Sequence, residues 1–561
     1  MRSPLSPRRL RFSLLPVGFW SLFFAALFAR MIFWRDGGIW VGHENAWSDW
    51  ALHIGLATRF ATEAPSEWFA YHPMFADGKM TYTFLTNLIS GLLMRAGLSL
   101  PLSFILPSIV FSIALVTGLY RFLTLLLRSR RRATIALFVF FMASGLGFID
   151  LFREWFNHPT LAALLTPLKQ YSRIDPKGWY AGNFLVGHFI PQRSFLLGMP
   201  LAIWASVGLL SVARFPERRS AAGNRRVLLL SALAAGILPI THAHSLIALP
   251  FLMGPVLFSR LKRWREFLWF AIPALALSVT LYCIFIRGGI SNPDFMSWHP
   301  GYNTDGVLDW LGFWGKAWGL MLPLAIAATA LSFRRGGRAL LPRDALAYSL
   351  GGWALFAICN LVLLQPVSWD NSKIFVWCYL TFSAVAACAI DWLWRGKTRR
   401  LPPIALRSAA AAIAILLTLT GFFELELFQQ IGVHSHQILG AEEVTIADQV
   451  RAGTGPDDRF LTSTDHNHWV MVRAARPILM GFMPWVWNFG FDYKEVEADI
   501  PKMYHGGPEG AALLAKHRIR YVVIGPAEEH NFHPDVAYFD RTYPVKFQSQ
   551  RYKVYEIKAS P

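Results

Sequence analysis

Apolar runs of roughly twenty residues recur through the first three quarters of the chain, separated by short polar or basic segments. Runs of that length suit a bilayer core of about 30 Å. The pattern predicts eleven spans, at about 13–34, 101–127, 133–152, 193–213, 227–239, 245–259, 267–286, 315–333, 345–364, 374–394 and 404–423. The stretch 227–259 fits one long helix or two short ones; basic clusters at both ends favour two, turned at Pro239 to His244. Arginine-rich clusters at 128–132, 214–226, 260–265, 334–343 and 395–400 are expected on the cytoplasmic side, together with the basic N-terminal segment MRSPLSPRRLRF. The first run then reads as an uncleaved signal anchor.

That sidedness constrains the first loop. Between the loop after Trp34 and the cluster at Arg128 lie two apolar stretches, and crossing twice would return the chain to the wrong side. One crossing is therefore assigned to 101–127. The stretch 81–97, interrupted by Asn87, Gly91 and Arg95, is predicted to lie as a helix along the outer membrane surface. After Phe423 the pattern becomes that of a soluble α/β domain: HRIRYVVIGP, His517 to Pro526, reads as a helix end and a strand, and KFQSQRYKVYEI, Lys546 to Ile557, as a strand pair. RFLTSTDHNHWVMVRAARPILMGF, Arg459 to Phe482, reads as two further strands around a helix or loop. The expected division is 1–423 for the membrane domain and 424–561 for an extracytoplasmic domain, in a plasma or inner membrane with the N-terminus inside.

Composition supports this picture: 54% of the 561 residues are hydrophobic and only 16% charged. The formal net charge of +19 could suggest nucleic acid, but 1–423 holds 40 Lys and Arg against 17 Asp and Glu, whereas 424–561 holds 14 against 18. The excess lies in the loops between spans, so membrane lipids are the implied partners and no nucleic acid is. All four cysteines fall in apolar segments, which argues against disulfides or a zinc site.

Nearly all unusual polar residues collect on the outer loops. They are Glu44, Asp49 and His53 in HENAWSDWALHIGLATRF; Asp150 and Glu154 at a span end; Gln192 and Arg193 in GHFIPQRSFLLG; His242 and His244 in LPITHAHS; and Asp370, Asn371 and Lys373 in QPVSWDNSKIF. Carboxylates beside fixed cations suit a reaction in which an acid deprotonates or orients an acceptor hydroxyl while Arg or Lys holds a phosphate. The acids would also suit a divalent metal such as Mg²⁺ or Mn²⁺. Structural duties compete: Asp49 could cap a helix starting at Trp50, Asp150 or Glu154 could pair with Arg153, and Arg193 could snorkel at a span entrance.

The first loop resembles that of the GT-C superfamily of glycosyltransferases. The likeness rests on SDWALHIGLATRF, an acid opening an amphipathic helix with His53 one turn on, and on FADGKMTYTFLTNLISGLLMRAG, similar to the second juxtamembrane helix of that fold. It implies a polyprenyl-phosphate-linked sugar donor, a glycan, lipid or protein acceptor, and often a soluble C-terminal domain. By that resemblance Asp49 takes the position of the first-loop catalytic acid, Asp150 or Glu154 that of a second-loop acid, and Arg193 and Lys373 would grip the lipid-linked phosphate. The side-by-side acidic pair common in the family is absent here: Trp50 follows Asp49, and Glu44 lies five residues earlier. A secondary transporter would share the many spans, but the inverted repeats of such proteins are not visible. A non-catalytic scaffold or a binder of lipid-linked glycans would share the composition as well.

Overall fold

The computed structural model describes residues 14–142, 145–165, 169–173, 183–290, 295–333, 340–396, 401–429 and 431–557. The basic segment 1–13 and parts of the clusters 334–343 and 395–400 lie outside the described residues. Helix α1 (Leu14–Phe28) leads into a hairpin, β1 (Ile32–Arg35) and β2 (Gly38–Val41), and then into α2 (Glu44–Thr62) and α3 (Leu85–Arg95). The membrane bundle continues with α4 (Leu100–Leu127), α5 (Arg130–Phe141), α6 (Gly147–Trp155), the short α7 (Leu161–Leu165), α8 (Arg193–Arg214), α9 (Ala221–Gly236), α10 (Ala243–Phe258) and α11 (Trp264–Leu281). After the two-residue strand β3 (Ser297–Trp298) come α12 (Val307–Trp318), α13 (Met321–Ser332), α14 (Arg343–Cys359), β4 (Val362–Leu363), α15 (Ser372–Trp394) and α16 (Pro403–Gln429). The protein is a multi-pass membrane protein.

Six helices among the described residues are long and apolar enough to cross a bilayer, or seven if the bent pair α12 and α13 counts as one span. Leu15–Phe28 and Ala243–Phe258 are shorter apolar helices. The difference from the eleven runs in the sequence has a backbone cause. The expected span 315–333 is broken by a 92° bend between α12 and α13. Gly319 sits there at φ 52°, ψ −125°, a conformation that a Cβ disfavours. The expected span 133–152 is likewise two helices, α5 and α6, with Gly145 at φ 61° between them. The run 227–259 does divide in two, at a 3₁₀ turn over Leu238–Ile240 followed by His242, whose side chain caps α10 by accepting from Ser245 N–H.

Within the first loop, a helix forms inside the stretch 81–97 as α3 and packs along α2. Gly91 permits this approach, because a Cβ there would lie 2.5 Å from Phe60 Cβ and 2.7 Å from the Ala57 carbonyl. From Trp50 to Phe60 every residue of α2 is buried, so this helix is enclosed on several sides. One of its neighbours is the π-helical turn Val470–Ala474 from the C-terminal part of the chain.

That C-terminal part is woven into the first loop. Strand β5 (His436–Leu439) pairs antiparallel with β2, giving a sheet in the order β1-β2-β5. Beyond α17 (Ala441–Gly453) a second sheet, ordered β6-β7-β9-β8, is built from β6 (Arg459–Leu461), β7 (Ile519–Ile524), β8 (Val545–Gln548) and β9 (Lys553–Glu556), with only β6 and β7 parallel. Around it stand α18 (Met483–Asn488), α19 (Lys494–His505), α20 (Gly507–Lys516), α21 (Pro526–Phe532) and α22 (Val536–Thr542). At the far end of the helix bundle two buried acids collect the arginine clusters. Asp344 meets Arg260 at 2.5 Å, Arg128 at 3.5 Å and Arg214 at 3.8 Å; Asp391 meets Arg132 at 2.9 Å, Arg395 at 3.0 Å and Arg131 at 3.3 Å.

Candidate functional site

Helix α2 starts at Glu44, not at Trp50, nearly two turns earlier than the sequence suggests. His43 is its N-cap, accepting from Asn45 N–H at 3.1 Å, and Glu44 opens the first turn. Asp49 is therefore not an N-cap, the structural duty open to it, but an interior residue of the second turn, half-buried, with the Ser48 hydroxyl 3.4 Å from its carboxylate. Burial pushes the Asp49 carboxyl up to about 6; Lys373 and Ser48 pull it down and Asp370 adds to the push. An acid on α2 thus senses two charges more than 300 positions away.

Those charges stand at the start of α15. A 3₁₀ turn over Ser368–Asn371 runs into the helix and presents Asp370 and Lys373 on one side, their ion pair closing at 2.6 Å. The other Asp370 oxygen accepts from Asn488 Nδ2 at 2.7 Å, so α18 of the C-terminal part braces the pair. Lys373 also lies 5.8 Å from the Trp369 ring centre. Asn371 is spent differently: its amide donates to the carbonyls of Cys359 and Val362 and accepts from Leu364 N–H, stapling the turn after α14.

A row of imidazoles backs this cluster. His188, from the π-helical turn Leu185–Phe189, meets Ser372 Oγ at 2.7 Å and stacks on Trp369 with centroids 5.1 Å apart and planes 10° from parallel. Burial, helped by the Lys373 charge, drives its pKa down to about 3, so the ring is neutral at physiological pH. Phe195 bridges His188 to His242, and His242 lies 5.4 Å from His244 between ring centres. His244 in turn feels both Lys373 and Asp370. Asp49, Tyr82, Trp369, Lys373 and Asn488 are all half-buried around this group, leaving it a solvent-facing side.

The other candidates from the sequence fall elsewhere. His53, one turn after Asp49, is buried and lies near Arg193; burial and that charge lower its pKa to about 3. Arg193 itself is fully buried: it donates to Ser90 Oγ at 2.7 Å and sits 4.0 Å from the Phe104 ring centre, while Nε and Nη1 have no hydrogen-bond partner. No carboxylate pairs with it among the described residues. Gln192 is the N-cap residue of α8 and half-buried. Glu44 is exposed and accepts from Gln170 at 3.1 Å. Asp150 pairs with Lys316 at 2.9 Å and Arg153 at 3.2 Å, and Glu154 with Lys169 and Tyr171, whose hydrogen bonds hold the Glu154 carboxyl below its usual range. Neither acid is among the groups that shift Asp49.

Sequence reasoning passed over His188, although it lies in the same GHFIPQRSFLLG motif as Arg193. Asn488 and Tyr82 carried no local signal. Glu424, directly after the apolar run 404–423, falls by sequence in the C-terminal domain; it is buried near the end of α16, where it accepts from Asn183 Nδ2 and Ser172 N–H. A divalent metal would need several oxygen or nitrogen ligands converging. Among the described residues no three His, Cys, Asp or Glu side chains do so. Asp370, the acid nearest in role to Asp49, is already engaged by Lys373 and Asn488.

No family profile matches the chain, and no curated protein matches its sequence. Solved structures do match. The apo oligosaccharyltransferase of Archaeoglobus fulgidus superposes with a TM-score of 0.53 at 11% identity, over 93% of this chain and 71% of that one. The same enzyme tethered to an acceptor peptide containing an NVT sequon superposes at 0.52 and 12% identity, over 97% and 74%. The chain has a GT-C-like fold. ArnT of Cupriavidus metallidurans bound to undecaprenyl phosphate is also found, with a TM-score of 0.46 and 13% identity over 97% of each chain. At such identities the likeness concerns architecture, and chemistry must be argued from the side chains.

Proposed function

We propose that this protein transfers a sugar from a polyprenyl-phosphate-linked donor to an acceptor nucleophile at the outer face of the membrane. The observation that carries the reading is Asp49, poised near pH 6 by burial, beside the Lys373–Asp370 pair in a GT-C-like fold. In its carboxylate form Asp49 accepts the proton of the attacking acceptor group. The acceptor forms a bond to the anomeric carbon as that carbon's bond to the phosphate oxygen breaks. The departing phosphate takes the bonding pair, and the Lys373 ammonium offsets the charge that develops there. Asp370 and Asn488 hold Lys373 in place, and the neutral His188 and Ser372 supply further polar contacts without adding charge.

On this reading Asp49, Lys373, Asp370 and His244 act at the reacting end, with His188 added to them. Glu44, Asp150 and Glu154, bonded to Gln170, Lys316 and Lys169, stand apart from it, and Arg193 is buried against Ser90 and Phe104 near His53 of α2. The soluble part, proposed as a domain from about residue 424, helps close the site through Asn488. The decisive experiment measures sugar transfer from a polyprenyl-phosphate donor by membranes containing wild type or Asp49→Asn. Loss of transfer with unchanged expression and insertion supports the proposal, and undiminished transfer overturns it.

A further inference from the structure

We infer that a second site, apart from the Asp49 cluster, holds the headgroup of an anionic phospholipid. A cavity of about 490 Å³ opens between the end of α3, the start of α4 and the C-terminal part of the chain. Three arginines from three elements line it: Arg95 in the last turn of α3, Arg451 on α17 and Arg473 in the π-helical turn Val470–Ala474. Arg451 and Arg473 share one carboxylate, Asp448, at 2.7 Å and 2.8 Å, and Arg95 donates to the backbone carbonyl of Glu63. Three guanidinium charges against one carboxylate leave an excess of two, which suits a phosphodiester.

The remaining walls point to a lipid as the bearer of that phosphate. Trp34, Met94 and Leu98 supply apolar surface, and Trp34 is 42% exposed with the Arg473 guanidinium 5.8 Å from its ring centre. Tryptophan is enriched at the membrane–water interface, and Trp34 on β1 lines the cavity together with the start of the spanning helix α4. Ser99, in the cavity wall, is the N-cap residue of α4, and Leu102, Leu106, Val110 and Ile113 follow it at three, seven, eleven and fourteen positions. All four are at least 40% exposed, so they form one continuous apolar lane down the helix. A headgroup on the arginines therefore has an acyl path beneath it. Bound there, the lipid ties the C-terminal part to the membrane bundle.

Native mass spectrometry of the purified full-length protein, released from nanodiscs of phosphatidylcholine doped with phosphatidylglycerol, tests this. Wild type should retain one more phosphatidylglycerol than Arg95→Glu, with occupancy of that site falling roughly tenfold or more in the variant. Arg95 is exposed and bonded only to a backbone carbonyl, so the variant should melt as wild type does in phosphatidylcholine alone. Ser99→Asp, which places a carboxylate at the cavity mouth on a residue making no side-chain capping bond, should have the same effect. Equal retention by wild type and both variants overturns the inference. So does displacement of the lipid by millimolar inorganic phosphate, which would mark a free-anion site, or by a smaller amount of undecaprenyl phosphate, which would mark a donor site.

Discussion

Asp49 owes its pKa to competition. Burial disfavours its charge, Lys373 restores part of it, and Asp370 opposes again, leaving the group near 6. Transfer should therefore rise with pH through an inflection close to that value, measured as kcat/KM from pH 4.5 to 8. A flat profile over that range would remove Asp49 as the base. Asp49→Asn should lower the rate about 10²- to 10⁴-fold. The linkage sign is opposite for stability: a carboxyl whose pKa is raised in the folded protein stabilises fully below about pH 4 and loses that contribution as pH climbs through about 6. Asn carries no charge to desolvate, so Asp49→Asn should melt at pH 8 no lower than wild type. Lys373→Gln should cost about tenfold to a hundredfold in kcat/KM for the donor, whereas Glu44→Gln and Asp150→Asn, at exposed or already paired acids, should change it less than about threefold.

The elements bend where function or packing demands it. Gly319 turns α12 sharply into α13 at a positive φ, and a Cβ there would also lie 2.8 Å from the Leu146 side chain. Gly319→Ala should destabilise the fold by about 1–3 kcal/mol, seen as a lowered thermal midpoint in detergent. Beside the second sheet, Glu528 is fully buried; it accepts from Ser463 N–H at 2.8 Å and from His468 at 2.9 Å, joining α21 to the end of β6. Glu528→Gln should cost about 1–3 kcal/mol, read from the same midpoint, because both donors converge on Oε1, so the amide keeps the acceptor but loses the charge that strengthens both bonds and buries an NH2 where the other oxygen has no partner. These elements were only partly legible. Helix content followed from the apolar runs, but the breaks at Gly145 and Gly319 depend on which backbone lies beside them, and a lone glycine inside an apolar run carries no such information.

Across the whole molecule, the two ends of the bundle differ in kind. At one end Asp344 and Asp391 gather arginines from several helices; at the other lie the Asp49 cluster, the first-loop sheet and the C-terminal part. The positive-inside rule predicts that the arginine end faces the cytoplasm. A single cysteine at position 95 should then label from outside intact cells and one at position 225 should not, in a background lacking the four native cysteines. The reverse pattern would invert the topology. Because β5 completes the β1-β2 hairpin and Asn488 braces Asp370, a chain ending at Gln429 should lose transfer and elute as aggregate in size-exclusion chromatography.

Hydropathy and charge are properties of a chain before it folds, so the membrane character, most helices and the strand-forming end could be read from the sequence. Asp49, Lys373 and His244 stood out there because acids, lysines and histidines are conspicuous beside apolar runs. Which of them meet could not be read. Coulomb and hydrogen-bond interactions act over a few ångströms, and the partners that matter are far apart in the chain: Asp49 with Lys373, His188 with Ser372, Asp370 with Asn488. Packing of α2, α15 and α18 around one space separated the poised acid from Asp150 and Glu154, turned Arg193 inward beside Phe104, and occupied Asn371 with backbone.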